Sequence, residues 1–330
     1  MDRTIRNCNV CVVGGAGFLG SHLVNHLIED RQCSVLVIDN LVVGRCAYIH
    51  PRATFEHYDI TGSEGHLLKL FNHYEIQYVF NYAAEPYIPV SFERPLHVCN
   101  TNFFGAMKVI NAAQDAGCIG VLQVSSAEIY GECPVGERID ENAPVKPHSS
   151  YGASKLAIDA WVQARWKEAK TPCIAMRQFN CLGERETHPY VVPEIIQQVV
   201  HNPLEDGKKT ITLGNNTKRD FLYAGDAVAM AVELLEKGEF GQVYNMGSEN
   251  TTNIFNLANV IAEMCKIPVR VFMNHEDKVR PWEIWYLQSD NSKLYRAITR
   301  RPQVTLQEAL ERTITSYNFQ GGKWAWQLTE

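Results

Sequence analysis

Tyr151 and Lys155 stand four residues apart in Tyr151-Gly152-Ala153-Ser154-Lys155, a stretch that opens a segment of helical period. Residues at that spacing project from one helical face. An ammonium beside a phenol favours the phenolate and lowers the tyrosine pKa from its usual value of about 10. Such a phenolate takes the proton from an alcohol while hydride leaves the same carbon. Upstream, an apolar run ends in Ser125-Ser126-Ala127-Glu128-Ile129-Tyr130-Gly131. A serine at the end of a central strand hydrogen-bonds that alcohol and positions it. The chemistry available to this set is oxidation of an alcohol, and it requires a hydride acceptor.

A Tyr-x-x-x-Lys spacing is common on surface helices, so the acceptor needs a signature of its own. VCVVGGAGFLG, residues 10–20, supplies one: an apolar run breaks into Gly14, Gly17 and Gly20, and a helix pattern follows. The first glycine allows a tight turn, the second lets a phosphate approach the backbone, and the third lets helix and strand pack closely. Phe18 and Leu19 then open a helix whose free N–H groups can hold a pyrophosphate. SVLVID, residues 34–39, ends in a carboxylate 19 residues after Gly20. Asp39 would accept hydrogen bonds from both ribose hydroxyls and repel a 2′-phosphate, which favours NAD over NADP. The nicotinamide's positive charge would further favour the Tyr151 phenolate.

The elements that must carry these residues alternate. Strands are expected near 8–13, 34–39, 77–82, 119–125 and 172–178, with a short one in FEHYDI, and helices near 18–30, 63–73, 96–116 and 150–169. The pattern implies an α/β fold, a Rossmann doubly wound parallel sheet with a smaller C-terminal α/β substrate-binding lobe. The NAD-binding domain is expected over 1–178 plus about 220–248, and the substrate lobe over 179–219 and 249–330. Asp59 and Ile60 end the short strand, where the carboxylate can meet the adenine amino group. Asn81, Tyr82, Ala83 and Ala84 end the next, where small alanines let a ribose approach. Strand C-termini are where open α/β sheets bind ligands.

Composition narrows the class. With 330 residues the chain can fill two lobes, and 45% hydrophobic against 21% charged residues is ordinary for a globular protein. No segment approaches the roughly 18 apolar residues of a membrane helix. MDRTIRNCNVC lacks a signal-peptide core. With 31 basic and 37 acidic residues the net charge is −6, against a broad nucleic-acid surface. Ten cysteines without even spacing suggest reduced thiols in the cytoplasm. Cys8 and Cys11 fall on opposite faces of a strand and cannot clamp a metal together. His22 and His26, with Asn25 and Glu29, are expected on a solvated face of the first helix.

These residues resemble the extended short-chain dehydrogenase/reductase superfamily, specifically its NAD-dependent nucleotide-sugar epimerases, dehydratases and decarboxylases, nearly end to end. VVGGAGFLG is similar to the family's cofactor turn, Asp39-Asn40-Leu41 to its ribose segment, Asn81–Ala84 to its cofactor-side strand end and Asn102-x-x-Gly105 to its helix motif. The resemblance implies that Tyr151 and Lys155 also contact the cofactor, and that Asn40 and Asn102 belong to its site. It implies substrate contacts at Glu85, Ser126, Asn180, Arg185, Val192, Arg219 and Arg280. Arg219 and Arg280 would grip the nucleotide diphosphate with paired hydrogen bonds, and Arg185 would suit a uronate carboxylate. The polar loop Glu184, Arg185, Glu186, Thr187 and His188 would lie over substrate. Departures from the pattern are Asn81 for a frequent histidine, Val13 for threonine, and Trp282 where glycine follows Arg-Pro; Trp282 and Trp285 would reshape the pocket or simply pack.

In this superfamily bound NAD oxidises the sugar C4 hydroxyl and is regenerated within the turnover. An epimerase turns the ketone over, a dehydratase removes the C5 proton and expels water from C6, and a decarboxylase uses the ketone as an electron sink. Glu128 resembles the glutamate of the Ser/Thr-x-Glu triplet in 4,6-dehydratases and uronate decarboxylases, while Ala127 replaces the aspartate that dTDP-glucose dehydratases use as acid. The expected activity is a 4,6-dehydratase with Ser126, Glu128, Tyr151 and Lys155 as catalytic residues. The alternatives are a 4-epimerase, a uronate decarboxylase and a non-catalytic NAD-binding regulator. The expected assembly is a homodimer through helices 96–116 and 150–169.

Overall fold

The computed structural model describes residues 3–279, 282–324 and 327. Runs rich in valine, isoleucine and leucine form β1 (Asn9–Val13), β2 (Ser34–Asp39), β3 (Thr54–His57), β4 (Tyr78–Asn81), β5 (Gly120–Ser126) and β6 (Cys173–Gln178). With the strand Val243–Met246 they make a seven-stranded sheet in the order Val243–Met246, β6, β5, β4, β1, β2, β3. Every pairing is parallel.

Apolar layers cover both faces, which is why these strands are continuous hydrophobic runs. On β1, Val10 and Val12 pack with Leu23, Val24 and Leu27 of helix α1 (Phe18–Glu29). Cys11 and Val13 point the other way, toward Leu67, Leu70 and Phe71 of α2 (Glu64–His73). Cys8 and Cys11 therefore lie in different layers; Cys8 Sγ instead faces Cys33 Sγ at 3.7 Å. The chain leaves β1 toward β2 and β3, then returns to β4 on the other side of β1. The crevice at this reversal is where such sheets bind ligands.

The smaller lobe holds two sheets. Lys218–Tyr223 pairs with Asn180–Leu182, Thr251–Asn253 and Tyr286–Leu287, and Lys208–Thr212 pairs with Leu204–Glu205 and Val269–Phe272. Ile195, Ile196, Ile261, Leu310 and Tyr317 fill its core. The strand Lys218–Tyr223 lies in the small sheet, whereas the helix Ala224–Lys237 packs on the α1 layer. Leu294 and Ile298 return to that layer. The two lobes are thus laced together by several chain crossings.

Two local features differ from the sequence reading. The helix expected over 96–116 runs as Pro95–Cys99, a π-helical stretch Asn100–Gly105, and Ala106–Asp115. The widened turn aims Asn102 at the segment after β4: its Oδ1 accepts the Glu85 N–H at 2.7 Å, and its Nδ2 donates to Glu85 O at 3.1 Å and to Ser154 Oγ at 3.3 Å. The second correction is His22, which is buried rather than solvated. The loop after Asn180 covers it, and Nε2 lies 2.9 Å from Glu184 O. Glu184 Oε2 is 3.9 Å from the ring, yet this is no ion pair, because burial and then Arg185 push the imidazole down to about 3.

A buried neutral histidine makes stability depend on pH. The unfolded ring takes up a proton below about 6.5 while the folded one does not until about 3. Stability is therefore lost as pH falls from about 6.5 toward 3. At pH 5 the loss from this group is about 2 kcal/mol, from about 1.5 pH units at ~1.4 kcal/mol each. Urea unfolding of the wild type and His22→Gln at pH 7 and pH 5 reads it: the wild type should lose that much more than the variant, and equal losses would place the acid sensitivity elsewhere.

Candidate active site

The glycine turn joins β1 to α1 at the crevice. Gly14 has φ +79°, and a Cβ there would stand 2.6 Å from Ala83 N, so the ends of β1 and β4 touch only because none is present. A Cβ on Gly17 would meet only Gly14 O, at 3.4 Å, and would otherwise project into the cleft that Gly17 lines. No side chain caps α1, so its first N–H groups remain available to an anion. At the end of β2, Asp39 Oδ2 accepts the Ala16 N–H at 3.0 Å and Oδ1 the Leu41 N–H at 2.9 Å, while burial raises its pKa. Asn40 Nδ2 donates to Asp59 Oδ2 at 2.8 Å. Burial works to raise the Asp59 pKa, but hydrogen bonds from Asn40 and Thr61 hold it below the usual range. The tight turn, the open helix N-terminus and the acid after β2 fit a dinucleotide.

The reactive groups meet where β5 ends. Ser126 Oγ accepts the Glu128 N–H at 3.2 Å and so caps the short turn Ala127–Ile129. Ser149 Oγ accepts the Gly152 N–H at 3.0 Å and starts the helix Ser150–Ala169. A Cβ on Gly152 would stand 3.0 Å from Glu128 O, so this glycine lets the helix close on the turn. The Ser126 hydroxyl reaches the Tyr151 phenol. Lys155 Nζ donates to Val124 O at 3.0 Å and lies 5.8 Å from the centre of the Tyr151 ring.

The electrostatics correct one expectation. Burial brings Lys155 down to about 8, and burial pushes Tyr151 up to about 12, against the lowering hydrogen bond of Ser126 and with the charges of Glu128 and Glu85 adding to the rise. Lys155 therefore does not lower the phenol in the protein alone. Its ammonium is engaged by a backbone carbonyl.

A buried ion pair anchors the helix to the sheet: Arg177 Nε on β6 lies 2.7 Å from Asp159 Oδ2, with both side chains buried. Arg177 also donates to Tyr130 Oη at 2.8 Å and to Glu141 O at 3.1 Å. Removing one partner leaves an uncompensated buried charge, which costs about 3–5 kcal/mol. Asp159→Asn should lower the melting temperature by several degrees in a thermal scan. An unchanged melting temperature would show that the pair does not hold helix to sheet.

The glycine turn and the reactive groups open on one cleft of about 1120 Å³, larger than the roughly 300–1,000 Å³ of a typical small-molecule site. Its wall contains Gly14, Gly17, Phe18, Leu19, Gly20, Asp39, Asn40, Asp59, Ile60, Tyr82, Ala83 and Ala84, together with Ser126, Glu128, Tyr151 and Lys155. Glu85, Asn180, Val192 and Arg219 line it as well. Arg219 Nη2 donates to Glu283 Oε1 at 2.9 Å, so an anion gripped here would share the guanidinium with that carboxylate.

Other expected residues lie elsewhere. Asn102 is not on the cleft wall; its amide is consumed by Glu85 and Ser154. Arg185, in the left-handed backbone region at φ 65°, turns toward α1, where Nη1 lies 3.4 Å from Ser21 O, and it lines a separate depression with His22 and Arg312. It does not face the cleft. Trp282 is exposed and Trp285 about half exposed, and neither lines the cleft. Arg280 lies outside the described residues. The cleft also recruits Gln178, Glu186 and Tyr190. Glu186 was visible only as one of several loop charges, and Gln178 and Tyr190 carry no spacing signal.

A dinucleotide crevice continuous with a serine, a tyrosine and a lysine defines an enzyme of the extended short-chain dehydrogenase/reductase class. The chain belongs to the NAD dependent epimerase/dehydratase family, whose model matches residues 10–247, and its cofactor is accordingly NAD. Mouse dTDP-D-glucose 4,6-dehydratase is 29% identical, over 96% of this chain and 90% of that one. Among solved structures, a UDP-glucose 4-epimerase from Thermus thermophilus in complex with NAD superposes with a TM-score of 0.83 at 26% identity, covering 94% of this chain and 99% of that one. A dTDP-glucose 4,6-dehydratase from Streptomyces venezuelae with NAD and TYD bound gives 0.84 at 26% identity, covering 96% and 99%. Among the described residues no helix is long and apolar enough to cross a membrane.

Proposed function

We propose that this enzyme is a nucleotide-sugar 4,6-dehydratase. NAD, when bound, accepts hydride from C4 of the sugar and returns it later in the same turnover. Tyr151 takes the proton from the C4 hydroxyl, Ser126 holds that hydroxyl by hydrogen bond, and Lys155 supplies the positive charge that favours the phenolate. The C4 ketone acidifies the C5 hydrogen, and Glu128 removes it as water leaves C6. Asp39 holds the ribose of the dinucleotide, and Arg219 with Arg280 the diphosphate of the sugar nucleotide. Glu128 carries the reading: it puts a carboxylate on the cleft wall in the turn that Ser126 caps, and simple C4 inversion has no use for such a base. The similarity to the mouse and Streptomyces dehydratases supports the same reading.

A 4-epimerase is the second reading, favoured by Ala127, which offers no acid beside Glu128, and by the similarity to the Thermus enzyme. Incubation with UDP-, dTDP-, GDP- and CDP-sugars, read by product mass, separates the two. A product lighter by one water supports dehydration. An isomer of unchanged mass overturns it for epimerisation, and loss of carbon dioxide overturns it for decarboxylation.

The chain also fits a cytoplasmic homodimer through the helical surface of residues 95–115 and the helix Ser150–Ala169, where Leu96 and Phe104 are exposed. Sedimentation of the purified chain at twice the protomer mass supports this. A monomer would contradict it.

A further inference from the structure

The loop after Asn180 carries a buried carboxylic acid with no side-chain partner. Glu186 is 1% exposed, and both of its carboxyl oxygens are buried without a close hydrogen bond, the Gly183 backbone N–H being only loosely placed against them. The residue is nevertheless part of the cleft wall that holds Ser126, Glu128, Tyr151 and Lys155. An ionised carboxylate there would lose its hydration and gain only the Gly183 backbone N–H in return. The group keeps its proton instead, and burial pushes its pKa well above the carboxylate range. Its surroundings connect it to the reacting groups. Tyr190 senses both Glu186 and Tyr151, together with Glu85 and Tyr87. The other buried carboxyls on this wall are differently placed: Asp39 accepts the Ala16 and Leu41 N–H groups, Glu85 Oε1 accepts the Tyr87 N–H at 3.3 Å, and Glu85 Oε2 lies 3.9 Å from His97 Nε2. Glu186 alone among them has neither carboxyl oxygen in a close hydrogen bond.

The dehydration chemistry has a vacancy for such a group. Expelling water from C6 takes a base for the C5 proton and an acid for the departing oxygen. The turn at the end of β5 offers Glu128 as base, and Ala127 beside it has no proton to give. We propose that Glu186 is the proton donor to the hydroxyl that leaves C6, so that base and acid come from different elements of the fold. This rests on the dehydratase reading. Glu128 takes the C5 proton, and the electron pair of the C5–H bond passes through the C4 enolate into the new C5=C6 bond. The C6–O bond breaks with its pair on oxygen, which takes the Glu186 proton and departs as water. Glu128 ends protonated and Glu186 ionised, and no further reactant is needed.

The test is Glu186→Gln, which exchanges one neutral buried group for another of the same shape; thermal unfolding and NAD content verify that the fold is kept. The variant and the wild type are given the member of the UDP-, dTDP-, GDP- and CDP-sugar panel from which the wild type loses water, and its 6-deoxy-6-fluoro analogue, since fluoride departs without a proton. Water loss by the variant should fall by about 100-fold or more, while fluoride release stays close to the wild-type rate. An equal fall on both substrates, or undiminished water loss, would overturn the proposal. A wild type that loses water from no member of the panel overturns the dehydratase reading and this inference with it, and is told apart from a failure of Glu186 alone.

Discussion

Tyr151→Phe should lower kcat by about a hundred- to ten-thousandfold, with NAD content and melting temperature close to wild type. The variant removes one hydroxyl from a buried ring and leaves the helix Ser150–Ala169 with its Ser149 cap and its Asp159–Arg177 anchor. The pH profile carries the sign of the same argument. Tyr151 at about 12 and Lys155 at about 8 together hold two protons at neutral pH. The reactive form, phenolate beside ammonium, has lost one of them. Its population therefore grows as pH rises to about 8 and is level above that, until the second proton leaves near 12. kcat/KM of the wild type should rise with pH and flatten by about 8. In Lys155→Met only the phenol remains to titrate, so the limb should move toward 12. A Tyr151→Phe enzyme with more than a tenth or so of wild-type turnover would remove the phenol from the mechanism.

Glu128→Gln should separate the two halves of the reaction. Water loss from C6 should fall by about a hundred- to ten-thousandfold, while oxidation at C4 continues and the 4-keto sugar accumulates. The charge of Glu128 contributes to the high pKa of Tyr151. Removing it favours the phenolate and makes C4 oxidation easier, so a loss confined to water release cannot be ascribed to a weakened tyrosine. Rapid quenching and mass analysis of the sugar read both steps at once. Full product formation by Glu128→Gln, with Tyr151→Phe inactive, would reject dehydration in favour of epimerisation.

Much of the frame was legible because its signals are local. The glycine turn, the alternation of apolar runs and the four-residue spacing of Tyr151 and Lys155 each depend on contiguous residues, and β1, β2 and the helix Ser150–Ala169 fall within a residue or two of where the pattern puts them. What failed depends on segments far apart in sequence. Helical periodicity placed His22 with Asn25 and Glu29, but the loop that buries it arrives some 160 residues later. Arg185 reads as a substrate ligand in a substrate loop, and a single left-handed backbone angle turns it toward α1. The π-helical stretch at Asn100–Gly105 serves contacts with Glu85 and Ser154, which apolar periodicity does not encode. Tyr151 shows the same limit in energetic form. Spacing sets which face the phenol shares with Lys155; depth of burial, a property of the whole fold, sets its pKa.

The central claim is that a carboxylate in the turn after β5 strips the C5 hydrogen of a 4-keto sugar. It is tested most directly by turnover of dTDP-glucose in heavy water. The account predicts a product that has lost one water and carries a solvent deuteron at C5. A product of unchanged mass with protium retained at C5 would contradict it.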